Sequence, residues 1–168
     1  DLHKLKEKYI IYGCNALWRD FAPDILFVVD DNMLSEIHNS SYCKVHKVIS
    51  PCKYICSEAK IVSIEGKWKK WNCGSLAVLY ACQKNPKNVY LAGFDVKYSN
   101  GKYKNIYAGT AHYANQNSVE HRHVIEAEVN QLAYCFYEYP EINFYRLYEN
   151  NIPEWESISN LAHITIDI

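Results

Sequence analysis

The sequence carries almost no net charge: eighteen Lys and Arg stand against nineteen Asp and Glu over 168 residues, leaving −1. That balance supplies no overall electrostatic drive toward nucleic acid or an anionic membrane surface. Nucleic acid is therefore not an expected partner, and any anion site must be local. No apolar run approaches the length of a membrane span, and no signal-peptide pattern opens the chain. Internal repeats, linkers and low-complexity segments are missing too, so one globular domain over residues 1–168 is the expectation. There is also no disulfide framework. The seven cysteines are odd in number and sit mostly in apolar stretches such as "LYACQ" and "LAYCFY", where a free thiol behaves as a small hydrophobe. That usage fits a reducing cytoplasm.

What is present suffices for a core, with 49% apolar and 22% charged residues. "DLHKLKEK" reads as a short polar helix, and "YIIYG" as a buried strand ended by Gly. "ILFVVDD" repeats that form as an apolar run without alternation ending in acids, the pattern of strands covered on both faces in a parallel sheet. "NMLSEIHNS" predicts a helix and "KVIS" a short strand. "AKIVSIEGKWKKW" has room for a strand but reads more as an exposed loop. "GSLAVLYACQK" is apolar almost all round and predicts a buried helix that Ser75 is able to cap, ended by Asn85-Pro86. "NVYLAGFD" follows as a central strand. Asp95 to Asn117 has no periodicity and reads as a long loop, of the kind that is usually functional or disordered. Beyond it, Ile125, Val129, Leu132 and Phe136 form one stripe of a long helix beginning near Ser118. "INFYRLY" is the next strand, and "HITIDI" alternates like a partner or edge strand. This succession implies an α/β fold, a three-layer Rossmann-like sandwich with a mostly parallel sheet.

Ligands of such sheets bind beyond the carboxyl ends of the strands, which draws three ends together: Gly13-Cys14-Asn15, Asp30-Asp31-Asn32 and Gly93-Phe94-Asp95. Asn15 offers a donor and an acceptor to a base or sugar edge. Asp30 and Asp31 suit a divalent ion or a ribose hydroxyl, or else a helix cap. In "NCGSLAV", backbone N–H groups and Ser75 are placed to meet a phosphate at a helix N-terminus, the plain alternative being a tight turn and a cap. The loop is too short for a Walker A motif. Cys43, His46, Cys52 and Cys56 spell C-x2-H-x5-C-x3-C, ligand types that suit zinc at the spacing of no familiar zinc module, and no metal site is assigned to them. "GKWKKW" interleaves Lys with Trp as base-stacking surfaces do, but its short span reads as a solvated loop. His112, His121 and His123 stand near the end of the long loop, where a general base would approach an acceptor hydroxyl.

"YIIYGCNALWRDFAPDILFVVDD", followed by "CGSLAVLYACQKNPKNVYLAGFD", resembles the bacterial lipooligosaccharide sialyltransferases and the related MptE-like proteins, named for an archaeal 6-hydroxymethylpterin diphosphokinase. Related short proteins are common in phages. The resemblance covers most of Tyr9 to Tyr98. It implies that Cys14-Asn15 corresponds to the pair whose Asn contacts the nucleotide sugar, and that Cys73-Gly74 falls where the family's Ser-Gly binds the nucleotide, with Ser75 as a substitute hydroxyl. It also sets Asp95 at the end of the strand, Tyr98 as the nearest counterpart of a tyrosine that follows, and His112 or His121 as the catalytic base. The family's first strand and Gly-x-Gly-Pro-Ser loop have no counterpart in the sequence from Asp1 onward, so either the sequence is truncated ahead of Asp1 or the domain lacks half of that phosphate site.

The expected function is thus a nucleotide-dependent transferase, glycosyltransferase-like, with a nucleotide-sugar donor. Catalysis falls to His112 or His121, and nucleotide binding to Asn15, Asp30, Cys73, Gly74, Ser75, Asp95 and Tyr98. Two alternatives stay open. One is a diphosphokinase of the MptE type using Mg²⁺ held by Asp30, Asp31 or Asp95. The other is a non-catalytic nucleotide-binding or viral structural protein with the same fold. The partner is a nucleotide or nucleotide sugar, the exposed aromatics permit a homo-oligomer, and the expected location is the cytoplasm, of the host if the protein is viral.

Overall fold

Apolar residues without alternation make the first sheet. In the computed structural model, which describes residues 1–51, 61–63, 70–94, 105–113, 121–147 and 152–164 (for 61–63 and 121–125 the backbone alone), strand β1 is Tyr12–Cys14, β2 Ile25–Phe27, β3 Val48–Ser50 and β4 Ile61–Ser63. They form a four-stranded sheet in the order β1-β2-β3-β4, every pair parallel. Every residue of β2 and β3 is buried, as strands covered on both faces require. Strand β4 lies within the stretch read as an exposed loop. Its three residues register with Val48, Ile49 and Ser50, a pairing too short to announce itself by periodicity.

The helices of this region follow their caps and stripes. Helix α1 spans Leu2–Lys6, α2 Asp31–Asn39 and α3 Tyr42–Val45. In α2, Met33, Leu34 and Ile37 are buried on one face, and the Asp30 carboxylate accepts the Met33 N–H at 3.0 Å, an N-cap that satisfies one of the first-turn donors. The strand predicted from Tyr9 begins instead at Tyr12: Tyr9 and Ile10 are exposed, Ile10 at 70%, and only Tyr12 to Cys14 find partners on β2. Between β1 and β2 the chain makes a 3-10 helix, Asn15–Arg19. Gly13 permits its close approach, since a Cβ there would stand 2.7 Å from Pro23 Cγ and 2.8 Å from Leu17 Cδ2.

The chain divides into two compact units, the first made of Asp1–Ala77 with Thr110–His112 and the second of Val78–Gly109 with Tyr113–Ile168. The boundary falls inside helix α4, Cys73–Cys82, whose Leu76, Ala77, Val78, Leu79, Ala81 and Cys82 are all buried, as its all-round apolar sequence predicts. The second unit holds β5 (Asn88–Leu91), helix α5 (His121–Glu138), β6 (Asn143–Arg146) and β7 (Leu161–His163). Its strands form an all-parallel sheet in the order β5-β6-β7, so the middle strand is β6 and not, as the sequence suggested, "NVYLAGFD". Strand β7 pairs Leu161 with Phe144 and starts ahead of "HITIDI". Leu132, Cys135 and Phe136 of α5 are buried, and the Phe136 ring meets Phe144 edge-on at 4.8 Å and Trp155 at 5.4 Å. The Asn160 amide closes the C-terminal end of α5 by donating to the Phe136, Tyr139 and Ile142 carbonyls, each at 3.1 Å. The fold is thus mixed α/β with two small parallel sheets, and among the described residues no helix is long and apolar enough to cross a membrane.

Candidate functional site

The first turn of α4 rests on the carboxyl ends of β1 and β2. Cys14 and Phe27 are register partners, and the buried Cys73 thiol donates to the Phe27 carbonyl at 2.7 Å. Burial pushes the Cys73 thiol well up from its usual range and the neighbouring Cys14 thiol adds to this, while the Asn15 and Val29 N–H groups aimed at its sulfur oppose it. Cys73 is therefore a neutral packing thiol that ties three segments together, which a buried cysteine does well.

Asn72, and not Ser75, caps α4. Its side-chain oxygen accepts the Ser75 N–H at 2.8 Å and its carbonyl the Leu76 N–H at 3.0 Å. Ser75 is the third residue of the helix, fully buried, with a hydroxyl oxygen that has no partner. Of the first-turn donors, the N–H groups of Cys73 and the half-buried Gly74 are left without an acceptor among the described residues, the arrangement that favours an anion at a helix N-terminus.

Asn15 stands directly beside this turn. It takes the left-handed conformation, φ 46°, which Asn tolerates better than other non-glycine residues. Its side-chain oxygen is buried with no hydrogen-bond partner, a condition that costs free energy unless another group meets it. Asp30 follows Val29 at the end of β2, and one of its oxygens is committed to capping α2, so the plain reading of that acid is realised in the structure.

A second cluster joins α2 to the segment Thr110–His112. The Arg19 guanidinium forks onto Glu36, Nε to Oε1 at 2.9 Å and Nη2 to Oε2 at 2.6 Å. It also donates to Thr110 Oγ1 at 3.0 Å and to the Ala111 carbonyl at 3.1 Å. His112 Nε2 lies 3.3 Å from Glu36 Oε2, and His112 is left-handed at φ 66°. The hydrogen bonds from Arg19 hold the Glu36 carboxyl below its usual range against the opposing effect of burial, with the charges of Arg19 and His112 adding to the lowering.

In the second unit, Gly93 turns the chain at the end of β5 with φ 79°, and the fully buried Arg146 at the end of β6 donates from Nε to the Phe94 carbonyl at 2.7 Å. Its guanidinium also lies 5.5 Å from the Trp155 ring. Burial, then the Arg146 charge, lowers the pKa of His163, its register partner on β7. The Gly93-Phe94 turn read from sequence is therefore organised by an arginine.

The structure brings Asn15, Cys73, Gly74 and Ser75 together and places Asp30 at the N-terminal cap of α2 and His112 beside Glu36 of the same helix. Asp95 and Tyr98 lie outside the described residues, as do Cys52 and Cys56 of the zinc-like quartet. His121 opens α5, and its side chain is likewise outside them. Arg19, Glu36, Asn72 and Arg146 were missed. Arg146, a lone charge inside "INFYRLY", carried a signal; Glu36, one polar residue on the outer side of an amphipathic helix, carried none. No family model, curated protein or solved structure matches the chain.

Proposed function

We propose that the chain is a nucleotide-dependent transferase with a Rossmann-like, MptE-like domain, binding a nucleotide sugar at the carboxyl edge of the first sheet. The observation that carries this reading is the first turn of α4 set on the ends of β1 and β2, with the unmet Asn15 oxygen beside the open Cys73 and Gly74 N–H groups. Those N–H groups hold phosphate oxygens and stabilise charge developing on the leaving nucleotide. The Asn15 carboxamide takes a hydroxyl or amino group of the sugar or base, and His112 receives the proton of the acceptor. Ser75, closed inside the helix packing, supports the turn from beneath and does not touch the ligand. The free thiols of Cys14, Cys43, Cys73, Cys82 and Cys135 fit a reducing compartment such as the cytoplasm.

A Mg²⁺-dependent diphosphokinase is a weaker fit. Asp30 is engaged as a cap, and among the described residues no three His, Cys, Asp or Glu side chains gather as a cation site. A thermal-shift panel of CMP, CDP, UDP, GDP and ATP, each with and without Mg²⁺, tests the reading. A metal-independent shift with one nucleotide supports it, and a shift only with Mg²⁺ transfers the assignment to the diphosphokinase. No shift with any of them removes nucleotide binding altogether.

A further inference from the structure

We infer that Glu36 is a positioning residue for His112, and that the pair, secured by Arg19, forms a carboxylate–histidine base acting on an acceptor hydroxyl. The inference rests on the transferase reading and assigns the proton-accepting half of that site.

One guanidinium fixes both partners. Two of its hydrogen bonds set the plane of the Glu36 carboxylate, and the other two hold Thr110 and Ala111, the residues that lead into His112. The left-handed backbone at His112 directs the imidazole, a conformation that non-glycine residues keep only when their surroundings impose it and that clusters at functional sites. With Nε2 turned to Glu36 Oε2 at 3.3 Å, Nδ1 is the nitrogen left to accept a proton. Among the described residues, the charged group against the ring is Glu36 from α2, itself paired with Arg19 from the 3-10 helix. The His112 side chain is 35% exposed, enough for an acceptor to approach.

Nδ1 takes the proton of the acceptor O–H, and the acceptor oxygen bonds to the sugar carbon as the bond from that carbon to the nucleotide phosphate breaks. The nucleotide leaves with the electron pair, and the imidazolium, stabilised by the ionised Glu36, returns its proton to solvent. Because Arg19 keeps Glu36 ionised, the carboxylate supplies that stabilisation without taking the proton itself, as in other carboxylate–histidine arrangements.

The experiment measures nucleotide release from CMP-, UDP- and GDP-linked sugars across pH, with the nucleotide thermal shift as a separate readout of binding. His112→Ala is expected to lower kcat about 100-fold or more and to abolish the acid limb of the pH profile. Glu36→Gln should lower kcat about tenfold with KM unchanged, and Glu36→Asp should restore part of the loss. The thermal shift with nucleotide should survive in all three, which separates catalysis from folding. A Glu36→Gln protein with wild-type kcat and acid limb overturns the inference while leaving nucleotide binding intact. Failure of the wild type to release nucleotide from every probe overturns it together with the transferase reading.

Discussion

Replacing Arg19 by Ala removes four hydrogen bonds at once, and the loss should depend on pH in a way that identifies its source. The fork onto Glu36 is charge-assisted and mostly sheltered, with side-chain exposures of 20% and 26%. Hydrogen bonds to charged groups contribute about 1.5–3 kcal/mol when protected, and solvent screening trims this at partial exposure. The bonds to Thr110 and Ala111 add about 0.5–1.5 kcal/mol each, but all four share one guanidinium and cannot be summed freely. A net loss of about 2–4 kcal/mol near pH 7 is expected. Glu36 is held below its ordinary value of 4.5 chiefly by the Arg19 hydrogen bonds. Its contribution is therefore fully present above that unfolded-state value and is lost as pH falls through the lower folded-state value, since the native state there binds fewer protons than the unfolded one. Urea unfolding of wild type and Arg19→Ala, followed by tryptophan fluorescence, should show a gap that narrows from about pH 7 to about pH 3. Arg19→Lys keeps the charge without the fork and should recover only part of the gap. A gap under about 0.5 kcal/mol, or one of equal size at both ends of the range, would refute the role given to this arginine.

Two further perturbations test the scaffold. Asn160→Asp replaces an amide that donates to three carbonyls by an oxygen facing them, and thermal unfolding should show a loss of about 2–4 kcal/mol; a change below about 0.5 kcal/mol would show that α5 is closed by other means. Gly13→Ala puts a methyl 2.7 Å from the stiff Pro23 ring and 2.8 Å from Leu17, so it should destabilise by about 1–3 kcal/mol through overpacking. An unchanged melting point would show that the 3-10 segment yields.

The strands that declared themselves were those with no side turned to solvent. "ILF" in β2 and "VIS" in β3 are buried on both faces, so their runs could be recognised without any neighbour in view. Strand β4 was passed over because "IVS" is only three residues long beside Gly66 and a basic-aromatic cluster, and its identity comes from pairing with β3. The same limit misplaced the start of β1. Tyr9 and Ile10 have strand-like side chains, yet the ladder with β2 begins at Tyr12, and local propensity does not say where a ladder ends. Helices are easier to read because caps and stripes are local, although sequence does not choose between Asn72 and Ser75 as the cap of α4. Both types cap well, and only the hydrogen bond from the Ser75 N–H to Asn72 decides between them.

The site was legible to the extent that backbone geometry makes it. A glycine-containing turn before a buried helix, an Asn after a strand and an acid after the next strand are local features, and Asn15 and Cys73–Gly74 do meet at one edge. What could not be read is which groups are already satisfied. Asp30 looks like a ligand in sequence and is half consumed by a cap, whereas the Asn15 oxygen, no more remarkable in sequence, is buried and unmet. Partner choice between distant residues is equally silent: Arg19, Glu36 and His112 are 17 and 76 positions apart in turn, and no spacing rule joins them. Unmet hydrogen-bonding capacity separates a binding group from a structural one of the same type, because a buried polar atom without a partner carries a cost that a ligand can relieve. By that criterion Asn15 ranks above Asp30 as a ligand contact. Asn15→Ala should then weaken nucleotide binding more than Asp30→Asn, which keeps an oxygen to cap α2.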